Sequence, residues 1–181
     1  LEQEKTNQKN ISSIKNLNLA YHPMYLGDSN SAKVIYEFVD YNCGYCQKFH
    51  QELINVMKDN SLKLVIIQMP ILGNFSEELT KLALASSLQG QFKIVHNYLY
   101  STERKSKMED ILADLFLRGV DLDILKNDLD SQEVSDFLSI HRSYADEFKF
   151  TGTPATIIGN QIIPGFIDAD KITEILEKEF S

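Results

Sequence analysis

The feature that most constrains this chain is a pair of cysteines between a strand-like segment and a helix-like segment. Cys43 and Cys46 are spaced as Cys-Gly-Tyr-Cys, and they are the only cysteines among 181 residues. The apolar run 34–39 before them has the length of a buried strand. Apolar side chains then recur at helical spacing, at Phe49, Leu53, Val56 and Met57. The pair is therefore predicted at the N-terminus of a helix that directly follows a strand.

This position is suited to a reactive dithiol. The free backbone N–H groups of a helix N-terminus and the positive end of the helix dipole stabilise negative charge. They favour the thiolate form of Cys43, which we therefore expect to be the nucleophile. Cys46 lies one turn further into the helix. We expect it to be more buried and to resolve a mixed disulfide by attacking it from within.

Composition and charge restrict the class of protein. The length allows one domain, or one domain with an insertion, whose core needs neither a metal nor a disulfide to fold. The formal net charge is −8, and the absence of a basic stripe argues against a nucleic-acid partner. No apolar run has the length of a membrane-spanning helix. These observations favour an ordinary globular domain.

The first half of the element pattern predicts an arm and a crossover unit. Residues 1–30 form an N-terminal arm with sparse apolar residues, interpreted as a loosely docked leader or, alternatively, as an oligomerisation segment. Strand, helix and strand then follow between residues 33 and 69, and Pro70 ends the second strand. This spacing predicts a right-handed crossover with parallel strands.

The second half of the pattern changes from helices to a hairpin. Between residues 76 and 148 apolar side chains recur only at helical spacing, which predicts a helical insertion. Two short strands around Gly159-Asn160 and a final helix follow. The predicted order is βαβ, helical block, ββα. We therefore expect an α/β fold in which 31–75 and 149–181 form one domain and 76–148 is an inserted α-helical domain.

Several segments together resemble one protein family. They are Val34 to Cys46, Pro70-Ile71-Leu72-Gly73, Gly152-Thr153-Pro154-Ala155 and Ile163-Pro164-Gly165. Over roughly residues 25–181 the chain resembles the DsbA-like thiol-disulfide oxidoreductases of bacterial envelopes, and most of all their ScsC-type branch. The resemblance implies a thioredoxin fold interrupted by a helical domain, in agreement with the order of elements above.

The resemblance also implies roles for individual residues. Cys43 would be the attacking thiol and Cys46 the resolving one, with Thr153 and Pro154 in a cis-proline loop packed against the disulfide. In such sites the backbone before the proline pairs with an extended substrate segment. The residues expected to contact substrate are Gly44, Tyr45, Thr153 and Pro154.

Glu37 is an acid in the middle of the first apolar strand. Period-two alternation places it on the same face as Ile35 and Val39, which favours burial over a solvent-facing position. A buried carboxyl has a raised pKa and is expected to be protonated. The resemblance implies that Glu37 relays protons to Cys46, which makes it a third catalytic candidate.

The residues between the cysteines bear on the direction of the chemistry. Gly44 and Tyr45 offer no cationic donor, whereas DsbA itself carries Pro-His there. We therefore expect a less oxidising disulfide than that of DsbA. The predicted function is a thiol-disulfide oxidoreductase that acts on exported proteins by disulfide isomerisation, oxidation or both.

Three alternatives remain beside this prediction. One is a DsbA-type dithiol oxidase only. Another, from a different class, is a non-catalytic binding domain with a structural disulfide, although so short a loop gives little entropic stabilisation. The third is a cytosolic thioredoxin-like reductant, which the helical insertion disfavours.

The resemblance further implies partners and a location. Expected partners are unfolded or misfolded cysteine-containing proteins and a membrane oxidase or reductase, with homo-oligomerisation through the arm as an open alternative. The expected location is the periplasm or the bacterial cell envelope. The sequence starts at Leu1, so either a signal peptide has been removed before it or the sequence begins inside the protein.

No cofactor or metal is expected. Cys43, Cys46 and His50 have the spacing of three zinc ligands, but a structural zinc site needs a fourth ligand and none is evident in the sequence. His96 and His141 lie on apolar helical stripes and are predicted to be core histidines.

Overall fold

The computed structural model describes residues 1–17 and 24–181. Leu19 and Ala20 of the predicted arm lie outside the described residues. The strands are β1 (Tyr25–Gly27), β2 (Val34–Val39), β3 (Lys63–Gln68), β4 (Ala155–Ile158) and β5 (Gln161–Pro164). The helices are α1 (Glu2–Lys15), α2 (Gly44–Asp59), α3 (Asn74–Leu88), α4 (Phe92–Leu99), α5 (Met108–Leu117), α6 (Leu122–Asp128), α7 (Gln132–Glu147) and α8 (Ala169–Phe180).

The strands form one mixed sheet in the order β1-β3-β2-β4-β5. β2 and β3 are parallel, with Glu37 opposite Ile66, and α2 connects them. β4 is antiparallel to β2, with Thr156 opposite Glu37, and β5 pairs with β4 as a hairpin. The α/β class and the predicted order βαβ, helical block, ββα are confirmed.

A short edge strand, β1, was not predicted. It pairs antiparallel with β3 and spans only three residues, too few to show alternation. Gly27, which ends it, has a φ of 85°, and a Cβ there would overlap the carbonyl oxygen of Leu62. Part of the predicted N-terminal arm therefore extends the sheet by one strand.

The two faces of the sheet bury separate apolar clusters. Ile35 and Val39 on β2 face the larger cluster, which is shared with α2, α8 and the helices between β3 and β4. Tyr36 and Phe38 on the same strand face the opposite way, into a smaller cluster. This alternation places the polar Glu37 on the larger, α2-facing side.

The first helix covers the smaller cluster. Ile11 and Ile14 of α1 are buried against the sheet, with Phe148 and Phe150 packed beside them. Asn10 donates a hydrogen bond to the carbonyl oxygen of Glu147 at 2.7 Å. The described part of the arm is thus a docked helix, which differs from the loosely docked leader that its sparse apolar residues indicated.

Five helices, α3 to α7, lie between β3 and β4 along the chain. They contribute buried residues to the larger cluster, and His141 of α7 accepts a hydrogen bond from the backbone N–H of Gln68 at 2.8 Å. The short helix α6, capped by the Asp121 side chain, was not predicted. The helical block begins at Asn74, two residues before the expected boundary, and its treatment as a separate domain stays a prediction.

Candidate active site

The two thiols lie at the start of α2 and differ in exposure. Cys43 is the N-cap residue of that helix, and its sulfur accepts a hydrogen bond from the Cys46 backbone N–H at 3.4 Å. Cys43 is half-buried, whereas Cys46 has no exposed surface, and both are free thiols. Only one sulfur of the pair can therefore be approached from solvent.

The loop before β4 faces this dithiol. The peptide bond between Thr153 and Pro154 is cis, and the Cys43 thiol donates to the Thr153 carbonyl oxygen at 3.3 Å. The Thr153 side chain forms a hydrogen bond with Cys46. Residues separated by 110 positions along the chain thus meet because β4 lies beside β2.

Burial dominates the chemistry of the inner thiol. It raises the pKa of Cys46 well above the ordinary thiol value, while the hydrogen bonds with Asp40 and Thr153 act in the opposite direction. The nearby Glu37 and Cys43 raise this pKa further, because their negative charges would repel a Cys46 thiolate. Cys46 therefore needs a proton acceptor before it can attack a mixed disulfide.

Glu37 is completely buried on the sheet face beneath the dithiol. Neither of its carboxyl oxygens has a hydrogen-bond partner among the described residues, and the same holds for the hydroxyl of Thr156 opposite it. Burial raises the pKa of Glu37 to about 8. Near neutral pH the group is therefore a protonated acid that can still ionise at moderate cost.

A buried cluster of rings lies between α2 and α4. The Tyr41 hydroxyl and His96 Nδ1 are 2.7 Å apart, and His50 stacks on Tyr100 with ring centroids 5.1 Å apart. Burial lowers the pKa of His50 to about 4 and that of His96 well below its ordinary value. Both histidines are thus neutral packing groups near neutral pH. No group of three or more His, Cys, Asp or Glu side chains in the described part of the chain is placed to hold a metal ion.

Asp40 is a site residue that the sequence analysis missed. Its buried carboxylate accepts from the Ser76 hydroxyl at 2.7 Å and from the backbone N–H groups of Asn42, Ile71 and Leu72 at 2.8 to 3.0 Å. Its carbonyl oxygen accepts from the Cys43 backbone N–H at 3.1 Å. The sequence did contain a signal for Asp40, because it is an acidic residue between a buried strand and a dithiol.

Apolar side chains are exposed on two sides of the dithiol. Tyr45 is 62% exposed and packs near Phe166, with ring centroids 6.4 Å apart. Ile71 and Leu72, in the loop bonded to Asp40, are 44% and 52% exposed. We call these four residues the apolar rim. Gly44 adds open space, since a Cβ there would meet nothing within 4 Å.

Comparison with known proteins gives consistent results. A family model described as Thioredoxin matches residues 20–178. A curated relative, the probable disulfide bond formation protein D of Bacillus cereus, is 24% identical over 169 residues, which cover 85% of this chain and 77% of the relative.

Two solved structures show the same fold. The thiol-disulfide exchange protein alpha-DsbA2 of Wolbachia pipientis superposes with a TM-score of 0.85 at 24% identity, covering 98% of each chain. The catalytic domain of Proteus mirabilis ScsC superposes with a TM-score of 0.75 at 23% identity, covering 86% of this chain and 87% of that one. The expected thioredoxin fold with added helices is confirmed.

Proposed function

This chain belongs to the thioredoxin family, and on that premise we propose that it is a protein thiol-disulfide oxidoreductase acting on exported proteins through Cys43 and Cys46. One observation carries the proposal. A half-buried sulfur at a helix N-terminus is backed by a fully buried one and faced by the Thr153 carbonyl oxygen. This arrangement directs an incoming sulfur to Cys43 and reserves Cys46 for the second step.

In the oxidising direction the enzyme begins as a Cys43–Cys46 disulfide. A substrate thiolate attacks the Cys43 sulfur, the disulfide breaks, and Cys46 leaves and takes up a proton. A second substrate thiolate then attacks the substrate sulfur of the mixed disulfide and releases Cys43. The substrate loses two electrons and forms a disulfide, while the enzyme gains them as a dithiol.

In the isomerising direction the enzyme begins as a dithiol. The Cys43 thiolate attacks a substrate disulfide, and a different substrate thiolate later displaces Cys43 to form a new disulfide. No net electrons are transferred. If that displacement fails, Cys46 attacks the Cys43 sulfur of the mixed disulfide and releases the substrate thiol. We assign the ionised form of Glu37, a minor fraction near neutral pH because its pKa is about 8, as the group that accepts the Cys46 proton, since its charge acts on this thiol.

The substrate is an extended, cysteine-containing segment of an unfolded or misfolded protein. The Thr153 carbonyl oxygen becomes free when the Cys43 proton is lost, and it can then pair with a substrate backbone N–H. The exposed apolar rim supplies surface for the side chains beside the cysteine. Gly44 and Tyr45 lie where such a segment would pass.

Two observations bear on the direction of the reaction. The Bacillus cereus relative is named for disulfide bond formation, which favours oxidation. The Gly44-Tyr45 pair lacks a cationic donor, which favours a less oxidising couple suited to isomerisation. We propose that the chain performs both reactions, with a redox partner protein at the membrane setting the balance.

The proposed location is the bacterial periplasm or cell envelope, where such substrates are found. No helix in the described residues is long and apolar enough to cross a membrane. Self-association through the N-terminal arm would have to use the outward face of α1 or a released arm, since Ile11 and Ile14 are buried against the sheet.

Ribonuclease refolding tests the function in both directions. We expect the reduced protein to reactivate scrambled ribonuclease and the oxidised protein to form disulfides in reduced ribonuclease. The double variant Cys43→Ser/Cys46→Ser is the control. Failure in both assays, together with a reduction potential well below about −300 mV, would instead identify an inert structural disulfide.

A further inference from the structure

A directed chain of hydrogen bonds leads from a cation in the helical block to a carboxylate beside the dithiol. Arg104 Nη1 donates to Asn42 Oδ1 at 3.2 Å. Asn42 Nδ2 donates to Ser76 Oγ at 3.2 Å, and Ser76 Oγ donates to Asp40 Oδ1 at 2.7 Å. Each side chain thus donates to the next one, from the positive end to the negative end.

The four members of this chain come from three separate segments. Asp40 and Asn42 lie in the short link between β2 and α2, immediately before Cys43. Ser76 is in the first turn of α3, and Arg104 is in the loop between α4 and α5. The helical block therefore holds the link that carries the attacking cysteine at two points.

Arg104 differs from the other two arginines of the chain. Arg118 and Arg142 form direct ion pairs with partly exposed glutamates, at 2.6 and 2.7 Å. The hydrogen bond of Arg104 goes instead to an uncharged amide. Burial lowers the pKa of the Arg104 guanidinium, and electrostatic interactions with Tyr100, Tyr98 and, least of the three, Asp40 raise it. A guanidinium stays charged at any pH relevant here.

The two ends of this hydrogen-bond chain carry opposite charges, with Asp40 in the link before Cys43 and Arg104 bonded to that link. The Asp40 carboxylate is buried, so solvent screens it weakly, and it disfavours a thiolate nearby. The Arg104 guanidinium, hydrogen-bonded to Asn42 directly before Cys43, carries the opposite charge. A group that stabilises the Cys43 thiolate stabilises the reduced enzyme and raises the reduction potential of the couple.

We propose that Arg104 and Asp40 are positioning residues of opposite effect, which set the reduction potential of the Cys43/Cys46 couple through Asn42. Arg104 makes the couple more oxidising, and Asp40 makes it more reducing. The inference rests on the proposed function, since a reduction potential has meaning only for a redox-active pair. It supplies a cationic influence on the dithiol that the Gly44-Tyr45 pair itself lacks.

The test replaces Arg104 by Gln and uses Arg142→Gln as the matched control, because both changes remove one partly exposed guanidinium from the helical block. We expect Arg104→Gln to lower the ratio of reduced to oxidised enzyme in a glutathione buffer about threefold to tenfold, or ~15 to 30 mV at ~30 mV per tenfold. Arg104→Lys should recover most of the shift, and Arg142→Gln should cause none.

The sign of the effect separates redox tuning from a merely structural role. Asp40→Asn should shift the ratio in the direction opposite to Arg104→Gln, whereas loss of packing would move both variants the same way. If Asp40→Asn does not fold, the comparison of Arg104→Gln with Arg104→Lys and Arg142→Gln decides alone. Equal potentials for Arg104→Gln and Arg142→Gln would overturn the inference.

A second readout does not depend on catalysis. In a Cys46→Ser background, the alkylation rate of Cys43 by iodoacetamide at neutral pH should fall about threefold to tenfold on Arg104→Gln and stay constant on Arg142→Gln. If ribonuclease refolding fails while this difference persists, the proposed function is wrong and the charge arrangement stands. If refolding succeeds and neither the alkylation rate nor the potential changes, only the inference is wrong.

Discussion

A buried carboxyl group without a hydrogen-bond partner is costly, and Glu37 has none among residues 1–17 and 24–181. Replacement by an apolar residue would remove this cost, so the acid lowers the stability of the fold. Its charge acts on Cys46 and on the Tyr41 hydroxyl. This placement supports the proposed role of Glu37 as the proton acceptor for Cys46.

The raised pKa of Glu37 makes its effect on folding depend on pH. The pKa is about 8 in the folded chain and near 4.5 in the unfolded chain, so between these values the folded state binds more protons and stability falls as pH rises. We expect Glu37→Gln to remove that loss. The free energy of unfolding of the variant should exceed that of wild type by an amount that grows from pH 4.5 to pH 8 and reaches about 4 kcal/mol. Urea unfolding at a series of pH values measures this, and a gain independent of pH would contradict it.

Thr153 contacts both sulfurs, but through different atoms. Its carbonyl oxygen accepts from Cys43, whereas its side chain bonds Cys46 and lowers the pKa of that thiol. We expect Thr153→Val to keep the contact with Cys43 and lose the one with Cys46. When Cys43 is joined to glutathione in a mixed disulfide, Cys46 should then release the glutathione several-fold more slowly. Stopped-flow measurement of glutathione release checks this.

Thr156→Val provides the control for that substitution. Thr156 lies in the adjoining strand, is completely buried, and its hydroxyl has no partner among the described residues. The same change of side chain there should leave the rate of glutathione release unchanged and leave stability unchanged or increased. Equal slowing in both variants would show that the Thr153 hydroxyl has no special role.

At the scale of elements, α1 completes the smaller core cluster. Ile14 is fully buried there although it belongs to a mostly polar helix. We expect Ile14→Ala to lower the free energy of unfolding by about 2 to 4 kcal/mol, as truncation of a buried isoleucine usually does. Ile140→Ala on α7, where the side chain is 40% exposed, should cost less than about 1 kcal/mol. Urea denaturation compares the two, and equal costs would show that α1 is not docked in solution.

Elements with strong local signals were predictable from the sequence. The strand at Val34–Val39, the helix after the dithiol and the hairpin around Gly159 each combine an apolar pattern with a clear boundary residue. β1 and α1 had no such signal, because three strand residues show no alternation and because the apolar face of α1 is defined only by the sheet beneath it. These two elements are held in place by tertiary contacts.

The same division holds for the candidate site. Cys43, Cys46 and Glu37 stand out as unusual residue types in their local pattern. Arg104 lies 61 positions after Cys43 in a loop, and its connection to the dithiol depends on how the helical block packs. Only residues whose chemistry conflicts with their surroundings, or whose spacing is distinctive, can be identified before the fold is known.

At the scale of the whole molecule, two kinds of buried group give stability opposite dependences on pH. His50 has a pKa of about 4 in the folded chain against 6.5 in the unfolded chain. The unfolded state therefore binds more protons between these values, and stability is lost as pH falls from 6.5 towards 4. Glu37 opposes this gain above pH 4.5, whereas His96, whose pKa is also lowered by burial, adds to it. Stability is therefore predicted to be greatest near pH 6.5 and to fall from there to pH 8.

Urea unfolding of wild type between pH 4 and pH 8 measures that curve. We expect His50 alone to lower the free energy of unfolding by up to about 3 kcal/mol as pH falls from 6.5 to 4. His96 should lower it further in the same direction. Glu37→Gln is the matched control, since it should remove the loss of stability above pH 6.5 and make the rise between pH 4.5 and pH 6.5 steeper. A wild-type profile that rises steadily with pH would contradict the assignment for Glu37, and one that falls steadily would contradict that for His50.

The contacts around Asp40 have a consequence for attempts to transplant this dithiol. If the segment from Asp40 to Cys46 were grafted into a small thioredoxin that lacks the helical block, the carboxylate would lose the donor from Ser76, and Asn42 would lose Arg104. The recipient would carry the same four motif residues in a different electrostatic setting. Its redox poise would then differ from that of this chain, so two enzymes that share Cys-Gly-Tyr-Cys need not be interchangeable in a cell.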